Sequence, residues 1–262
     1  MTNQQLRLNK FLAERLGVSR READELIASN KITVDGKTAT LGTRIDKTNK
    51  VCYNKKIVPF NTEFSYLVFH KPVGYVCSRR AQGTAPTIYE LLPQKFHKLK
   101  SVGRLDKDSS GLILLTNDGD FAFQMTHPKF RKTKVYEVEL DKPLEPIHQQ
   151  MISDFGVMLD DGPSQFKVIG NPSARKASFE GGPEPGKARS SATTPVATGV
   201  VDAPRKRSFL AEYTVILTEG RNRQIRRTFA ALGYKVTKLH RVSFGKYELN
   251  DLKPGKYVII EP

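Results

Sequence analysis

The sequence predicts an α+β protein: a small helix-helix-sheet module at the N-terminus, then a larger domain on a mixed, mainly antiparallel sheet. Three observations predict it. Apolar residues recur at helical spacing near the N-terminus, short runs rich in Val, Ile, Leu and Tyr follow, and no regular strand-helix repeat emerges. The last point argues against a doubly wound sheet. At 262 residues the chain exceeds the usual size of one small domain. A linker over 55–65 sets the expected domains at 1–61 and 62–262.

In the first domain, Leu8, Phe11, Leu12 and Leu16 lie one helical turn apart and Gly17 supplies a residue suited to ending that helix. Ser19 precedes Glu22 in the reciprocal capping arrangement, and Ala23, Leu26 and Ile27 continue the apolar face of a second helix. Ile32, Val34 and the pair Asp35-Gly36 read as a strand entering a tight turn, and Val51-Cys52-Tyr53 as a further strand. Arg20 and Arg21 fall in the first turn of the second helix, where cations oppose the helix dipole at a cost of about 0.3–1 kcal/mol each. A phosphate partner is a reason for keeping them. Residues 1–61 carry 12 basic and 6 acidic side chains, a net of +6.

The second domain opens with a strand at 66–69 and a turn at His70-Lys71-Pro72-Val73-Gly74. Further strands are predicted at 112–115, 135–140, 213–217 and 257–260, with helical segments near 121–126, 145–153 and 223–232. Residues 171–208 differ from their surroundings, with five Pro, four Gly and seven basic against three acidic residues. Their composition predicts a flexible basic insert, either a linker or an arm that gathers RNA without sequence preference.

Lys and Arg outnumber Asp and Glu by 43 to 27, a net charge of +16 that makes a polyanion the leading partner. No apolar run approaches the roughly 18 residues of a membrane span, and no secretory hydrophobic region opens the chain, so a soluble cytoplasmic protein is expected. Cys52 and Cys77 show no zinc-binding spacing and read as small buried hydrophobes. The five histidines are scattered. Neither a zinc site nor a histidine-centred mechanism is expected.

The most informative run is Gly103-Arg104-Leu105-Asp106-Lys107-Asp108-Ser109-Ser110-Gly111, followed by an apolar strand at 112–116 and the turn Asn117-Asp118-Gly119-Asp120. Taken by itself it has two readings. Asp106, Asp108, Asp118 and Asp120 could hold a magnesium ion, or the segment could be a hydrogen-bonded turn. Tyr136, Val138 and Leu140 alternate, placing the tyrosine on the inward face of a strand. Ile225, Phe229 and Leu232 form a helical stripe with Arg226 at its edge, amid a cluster of Arg221, Arg223 and Arg227 suited to solvent or phosphate.

Arg7-Leu8-Asn9-Lys10-Phe11 with Ser19-Arg20-Arg21-Glu22-Ala23 resembles the small RNA-binding domain first described in ribosomal protein S-four. Arg104-Leu105-Asp106, with Ser-Gly after it, the strand at 112–116 and Asn117-Asp118-Gly119-Asp120, resembles the active-site motif of the RsuA/RluB family of ribosomal RNA pseudouridine synthases. Lys71-Pro72-Val73-Gly74, Lys134-Val135-Tyr136 and Gly220-Arg221-Asn222-Arg223-Gln224-Ile225-Arg226-Arg227 match that family's other landmarks in order, and several motifs in one order are far more specific than any one. His70 replaces the family's frequent Asn, and the 171–208 insert has no counterpart.

The resemblance implies a pseudouridine synthase fold and isomerisation of one uridine in ribosomal RNA or a pre-ribosomal particle, without cofactor or metal; a monomer is expected because no association surface can be read in the sequence. Its essential aspartate falls on Asp106, its active-site tyrosine on Tyr136 and the arginine paired with the carboxylate on Arg226. The target uridine must be flipped out of the RNA, and Arg104 is placed to fill the gap or hold the displaced phosphate. Arg7, Lys10, Arg20, Arg21, Lys71, Arg221, Arg223 and Arg227 are the other expected RNA contacts. The rivals are a non-catalytic ribosome assembly factor and a metal-dependent RNA hydrolase.

Overall fold

The computed structural model describes residues 5–61, 63–79, 83–170 and 211–262. The 171–208 insert lies outside the described residues. The chain forms two compact units, one of Met1–Lys134 with His240–Pro262 and one of Val135–Leu239.

In the first unit, helices Leu8–Arg15 and Arg20–Ala28 form as the apolar spacing predicts. The Glu22 amide donates to Ser19 Oγ at 3.1 Å and the Ser19 amide to Glu22 Oε2 at 2.7 Å, which satisfies both ends of the capping box. The helices bury Leu8, Phe11, Leu12, Ala23 and Ile27 against Ile32, Ile45, Val51 and Val58. Below them lies an antiparallel sheet in the order Lys37–Thr38, Ile32–Val34, Val51–Tyr53, Lys56–Ile57. Asp35 and Gly36 take positive φ at their tight turn, as expected. The linker expected at 55–65 is in part structured. Asn54 and Lys55, at φ 48° and 66°, make a second two-residue hairpin whose return strand is Lys56–Ile57. Val58 is then buried, and Phe60 lies against Phe11 with ring centroids 4.5 Å apart.

The same unit contains Ser110–Thr116, which pairs antiparallel with Tyr66–Lys71, and Tyr66–Lys71 pairs antiparallel with Tyr257–Ile260. Lys100–Val102 runs antiparallel to the far end of Ser110–Thr116, while His240 and Arg241 pair parallel with Ser110 and Gly111. Arg79 Nη1 donates to the Gly17 carbonyl at 2.6 Å, and Lys100 Nζ donates to the Val18 carbonyl at 2.7 Å, tying the end of the first helix to this part of the chain.

In the second unit, Lys167–Gly170 pairs antiparallel with Ala211–Leu217, which neighbours Lys134–Leu140 and then Val236–Phe244. Helix Gln224–Ala231 buries Gln224, Ile225, Thr228 and Phe229. A short hairpin joins Val157–Leu159 to Gly162–Ser164. The helical segment near 145–153 is a helix over Pro146–Gln150 that loosens into a π turn at Met151–Phe155. The nine-residue strand Val236–Phe244 escapes the sequence reading, because its buried positions include Arg241 and its text lacks simple alternation. The mixed sheets with peripheral helices are those of the expected α+β class. Among the described residues no helix is long and apolar enough to cross a membrane.

Candidate active site and RNA-binding surface

Asp106 stands half-exposed in the loop between Lys100–Val102 and Ser110–Thr116. Its neighbours Leu105 and Ser109 are buried while Arg104, Lys107 and Asp108 are exposed, so the loop is anchored at alternate points and offers its charges outward. The anchors come from the Lys-Pro-Val-Gly turn and the residues just after it. The Gly74 amide donates to the Lys107 carbonyl at 2.8 Å. Cys77 Sγ donates to the Leu105 carbonyl at 3.3 Å and accepts from the Leu105 amide at 3.4 Å. Burial pushes the Cys77 thiol up, keeping the proton it donates. Cys77 is thus buried as expected, whereas Cys52 is half-buried.

Lys71 is the strongest of these anchors. Its side chain has no solvent exposure, and its ammonium donates to the carbonyls of Ser109 at 2.6 Å, Pro72 at 3.0 Å and Lys107 at 3.4 Å. The expected RNA contact at Lys71 is therefore corrected: a cation enclosed by loop carbonyls has no surface left for a phosphate. Burial lowers its pKa to about 8, against the opposing pull of Cys77, Asp106 and Asp108.

That shift makes a signed prediction. Below about pH 8 Lys71 is charged in both folded and unfolded chains; between about 8 and 10.5 only the unfolded chain keeps the proton. Stability of the wild type relative to Lys71→Met therefore rises with pH across that window and is flat below it. Urea titrations of both proteins from pH 7 upward, in steps of about one unit, check this; a difference that is flat or falls there would count against the buried ammonium.

At the end of the loop, Gly111 has φ +109° and its backbone lies so close to Arg241 that an added β-carbon would stand 2.2 Å from the Arg241 carbonyl oxygen. Arg241, itself buried, donates from Nε to the Leu112 carbonyl at 2.7 Å, with its guanidinium 5.0 Å from the Phe244 ring centre. Sequence reasoning missed this residue. Ser110 Oγ and His240 Nδ1 are 2.8 Å apart, and His70 Nδ1 donates to the Leu252 carbonyl at 2.6 Å.

The four carboxylates of the motif part company. Asp118 caps helix Gly119–Thr126 by accepting from the Asp120 and Phe121 amides, and also accepts from the Tyr66 hydroxyl at 2.8 Å. Asp120 pairs with Lys10 at 2.5 Å. Two of the four groups required by the magnesium reading thus have structural work elsewhere. Among the described residues no group of three or more His, Cys, Asp and Glu could hold a metal ion.

Tyr136 and Arg226 belong to the second unit. Tyr136 is buried on Lys134–Leu140 with Lys134, Val138 and Leu140, as the alternation predicts. Arg226 is half-buried and donates from Nη1 to the Val236 carbonyl at 2.9 Å. The arginine cluster divides. Arg221 Nη1 and Arg227 Nη2 hold the two oxygens of Asp161 at 3.0 and 2.7 Å, and Arg221 also donates to the carbonyls of Asp161, Gly162 and Pro163. These two, expected on RNA, also hold the turn of the short hairpin, and both side chains stay partly exposed. Arg223 remains exposed at the helix N-cap, in the left-handed conformation.

Arg7, Lys10 and Arg20 line one recess of about 930 Å³, together with Arg15, Arg44, Lys47 and Phe60 and the acids Asp46 and Asp120; Arg21 is exposed outside it. Arg7 and Arg44 stand directly opposite each other on paired strands. Like charges so placed repel, and an anion between them would relieve the repulsion. Arg44 is distant in sequence, so only strand pairing could have found it.

A basic module joined to a chain that presents two carboxylates, Asp106 and Asp108, on a braced loop has the features of an RNA-acting protein. Residues 65–231 match the RNA pseudouridylate synthase family model, and residues 6–51 match that of the S4 domain. The chain is 34% identical to ribosomal small subunit pseudouridine synthase A of Pasteurella multocida, over 96% of this chain and 94% of that protein. It is 31% identical to ribosomal large subunit pseudouridine synthase B of Pseudomonas aeruginosa, over 96% of this chain and 58% of that one. A crystal structure of a pseudouridylate synthase superposes with a TM-score of 0.60 at 28% identity, covering 98% of this chain and 96% of the other. The chain belongs to the RNA pseudouridylate synthase family.

Proposed function

We propose that the protein converts one uridine of ribosomal RNA, free or in a pre-ribosomal particle, to pseudouridine, working as a cytoplasmic monomer. The observation that carries the chemistry is Asp106, half-exposed on a loop anchored by buried Leu105 and Ser109, whose backbone is held by Lys71, Gly74 and Cys77. Such bracing fixes a reacting group at little entropic cost. The relatives named for small-subunit and large-subunit modification support ribosomal RNA as the substrate.

In this reading the target nucleotide leaves its stack, at a cost of a few kcal/mol, and Asp106 acts on it as nucleophile or base. The bond from uracil N1 to the sugar breaks, the base turns, and carbon five bonds to the same sugar carbon. The carbon-five proton leaves and N1 gains one, so atoms balance with no donor or cofactor. Tyr136 stacks on the flipped base or assists removal of that proton, and Arg226 supplies the positive charge that favours an ionised carboxylate. Arg104, exposed two residues before Asp106, fills the vacated stack or holds the displaced phosphate. Arg7, Lys10, Arg20, Arg21, Arg221, Arg223 and Arg227 contact RNA backbone.

Ribosomal RNA transcripts labelled with tritium at uracil carbon five test the reading. The expected result is stoichiometric tritium release from one position, intact RNA, and no effect of chelator. Cut RNA and inhibition by chelator would replace the synthase with a hydrolase; tight binding without release would leave an assembly factor.

A further inference from the structure

The run His127-Pro128-Lys129-Phe130-Arg131-Lys132-Thr133-Lys134 carries four Lys or Arg and no acid. It leaves helix Gly119–Thr126 through a single turn, Pro128–Phe130, closed by Arg131 at φ 45°. Residues 126–131 are all exposed. Within this polar setting Phe123 and Phe130 leave 45% and 38% of their surface in solvent. Their rings meet edge to face at 5.8 Å, and the His127 ring adds to the cluster 4.6 Å from Phe123. Lys129 Nζ lies 5.2 and 4.7 Å from the two phenylalanine centroids. The cluster also adjoins the Asp106 loop, since a β-carbon at Gly103 would lie 3.7 Å from Thr126 Cγ2.

Large exposed rings ask for a partner with an apolar face, and the surrounding cations ask for an anion. A nucleotide supplies both, a flat base for a ring and a phosphate for an ammonium. We propose that Phe123 and Phe130, with Lys129 and Arg131, form a stacking platform for an unpaired base of the RNA next to the target uridine. A base that takes a ring face moves the Lys129 ammonium from the ring to that nucleotide's phosphate. This rests on the synthase reading for the identity of the RNA, but the platform itself acts in binding. It makes the enzyme favour a target with an unpaired neighbour over one inside continuous duplex.

The test uses the full chain and a single-stranded oligoadenylate of about 12 nucleotides carrying one 2-aminopurine, a length within the usual span of single-strand sites. The wild type is expected to quench 2-aminopurine fluorescence on binding. The pair Phe123→Leu and Phe130→Leu keeps apolar bulk but loses the flat rings; it should abolish the quench and weaken binding about tenfold, leaving affinity for an RNA duplex of the same length unchanged. Phe123→Tyr with Phe130→Tyr should retain both signals, and Phe130→Leu alone, on an exposed turn, should show a smaller loss. Unchanged quench and affinity in the leucine variants would overturn the platform and leave the patch to another partner, such as an acidic protein. Binding is read without turnover. A chain that stacks the oligonucleotide yet releases no tritium from ribosomal RNA would defeat the catalytic reading and not this one.

Discussion

Replacing Asp106 with asparagine is expected to lower tritium release by about 10⁴-fold or more while leaving RNA affinity and folding unchanged, because the reaction loses its nucleophile or base. The substitution keeps size and shape and removes only the ionised oxygen. The loop backbone has supports that the substitution leaves in place: the Ser109 amide on the Asp106 carbonyl at 3.1 Å, the Lys71 ammonium on Ser109 and Lys107, the Gly74 amide on Lys107 and the Cys77 thiol on Leu105. Single-turnover tritium release, read beside RNA binding and circular dichroism, separates chemistry from folding. Release within about tenfold of the wild type would require another residue to do the chemistry.

Gly111→Ala is expected to destabilise the fold by about 4 kcal/mol or more. Two independent causes act at one atom. The backbone has φ +109°, where an L side chain is strained, and the new methyl would stand 2.2 Å from the Arg241 carbonyl oxygen and 2.5 Å from its amide nitrogen. Neither contact is a flexible side chain that could swing away. Opening the parallel pairing would also disturb Arg241 Nε on the Leu112 carbonyl and the Ser110–His240 hydrogen bond. Urea unfolding checks this, and a loss below about 1 kcal/mol would mean that the two strands can separate cheaply.

These two residues sit five positions apart in one motif, yet they became legible in different ways. The text of the loop left four carboxylates and two readings open, and Asp106 stood out only through the ordered motifs around it that carry the family resemblance. Gly111 read only as part of the same motif; what demands glycine there is the backbone of a strand more than a hundred residues later.

The same division runs through the basic residues. Arg20, Arg21 and Lys71 look alike in a sequence, as cations near functional motifs. Folding leaves Arg21 exposed but encloses Lys71 among carbonyls, and it gives Arg221 and Arg227 to the carboxylate of Asp161. Conversely, Arg44 entered the basic recess through its pairing with Arg7.

By itself the sequence determined what depends on neighbours along the chain: the capped second helix, the tight turn at Asp35-Gly36, the inward face of Tyr136 and the loop that carries Asp106. These follow from propensities and periodicities acting over a few residues. The tertiary structure alone decided which cations stay exposed, why Gly111 has no side chain, where the buried Arg241 goes and that Asp118 and Asp120 serve the fold. Those outcomes turn on burial and on partners far away in the chain, and electrostatics and steric contact act through space, where sequence order gives no measure of distance.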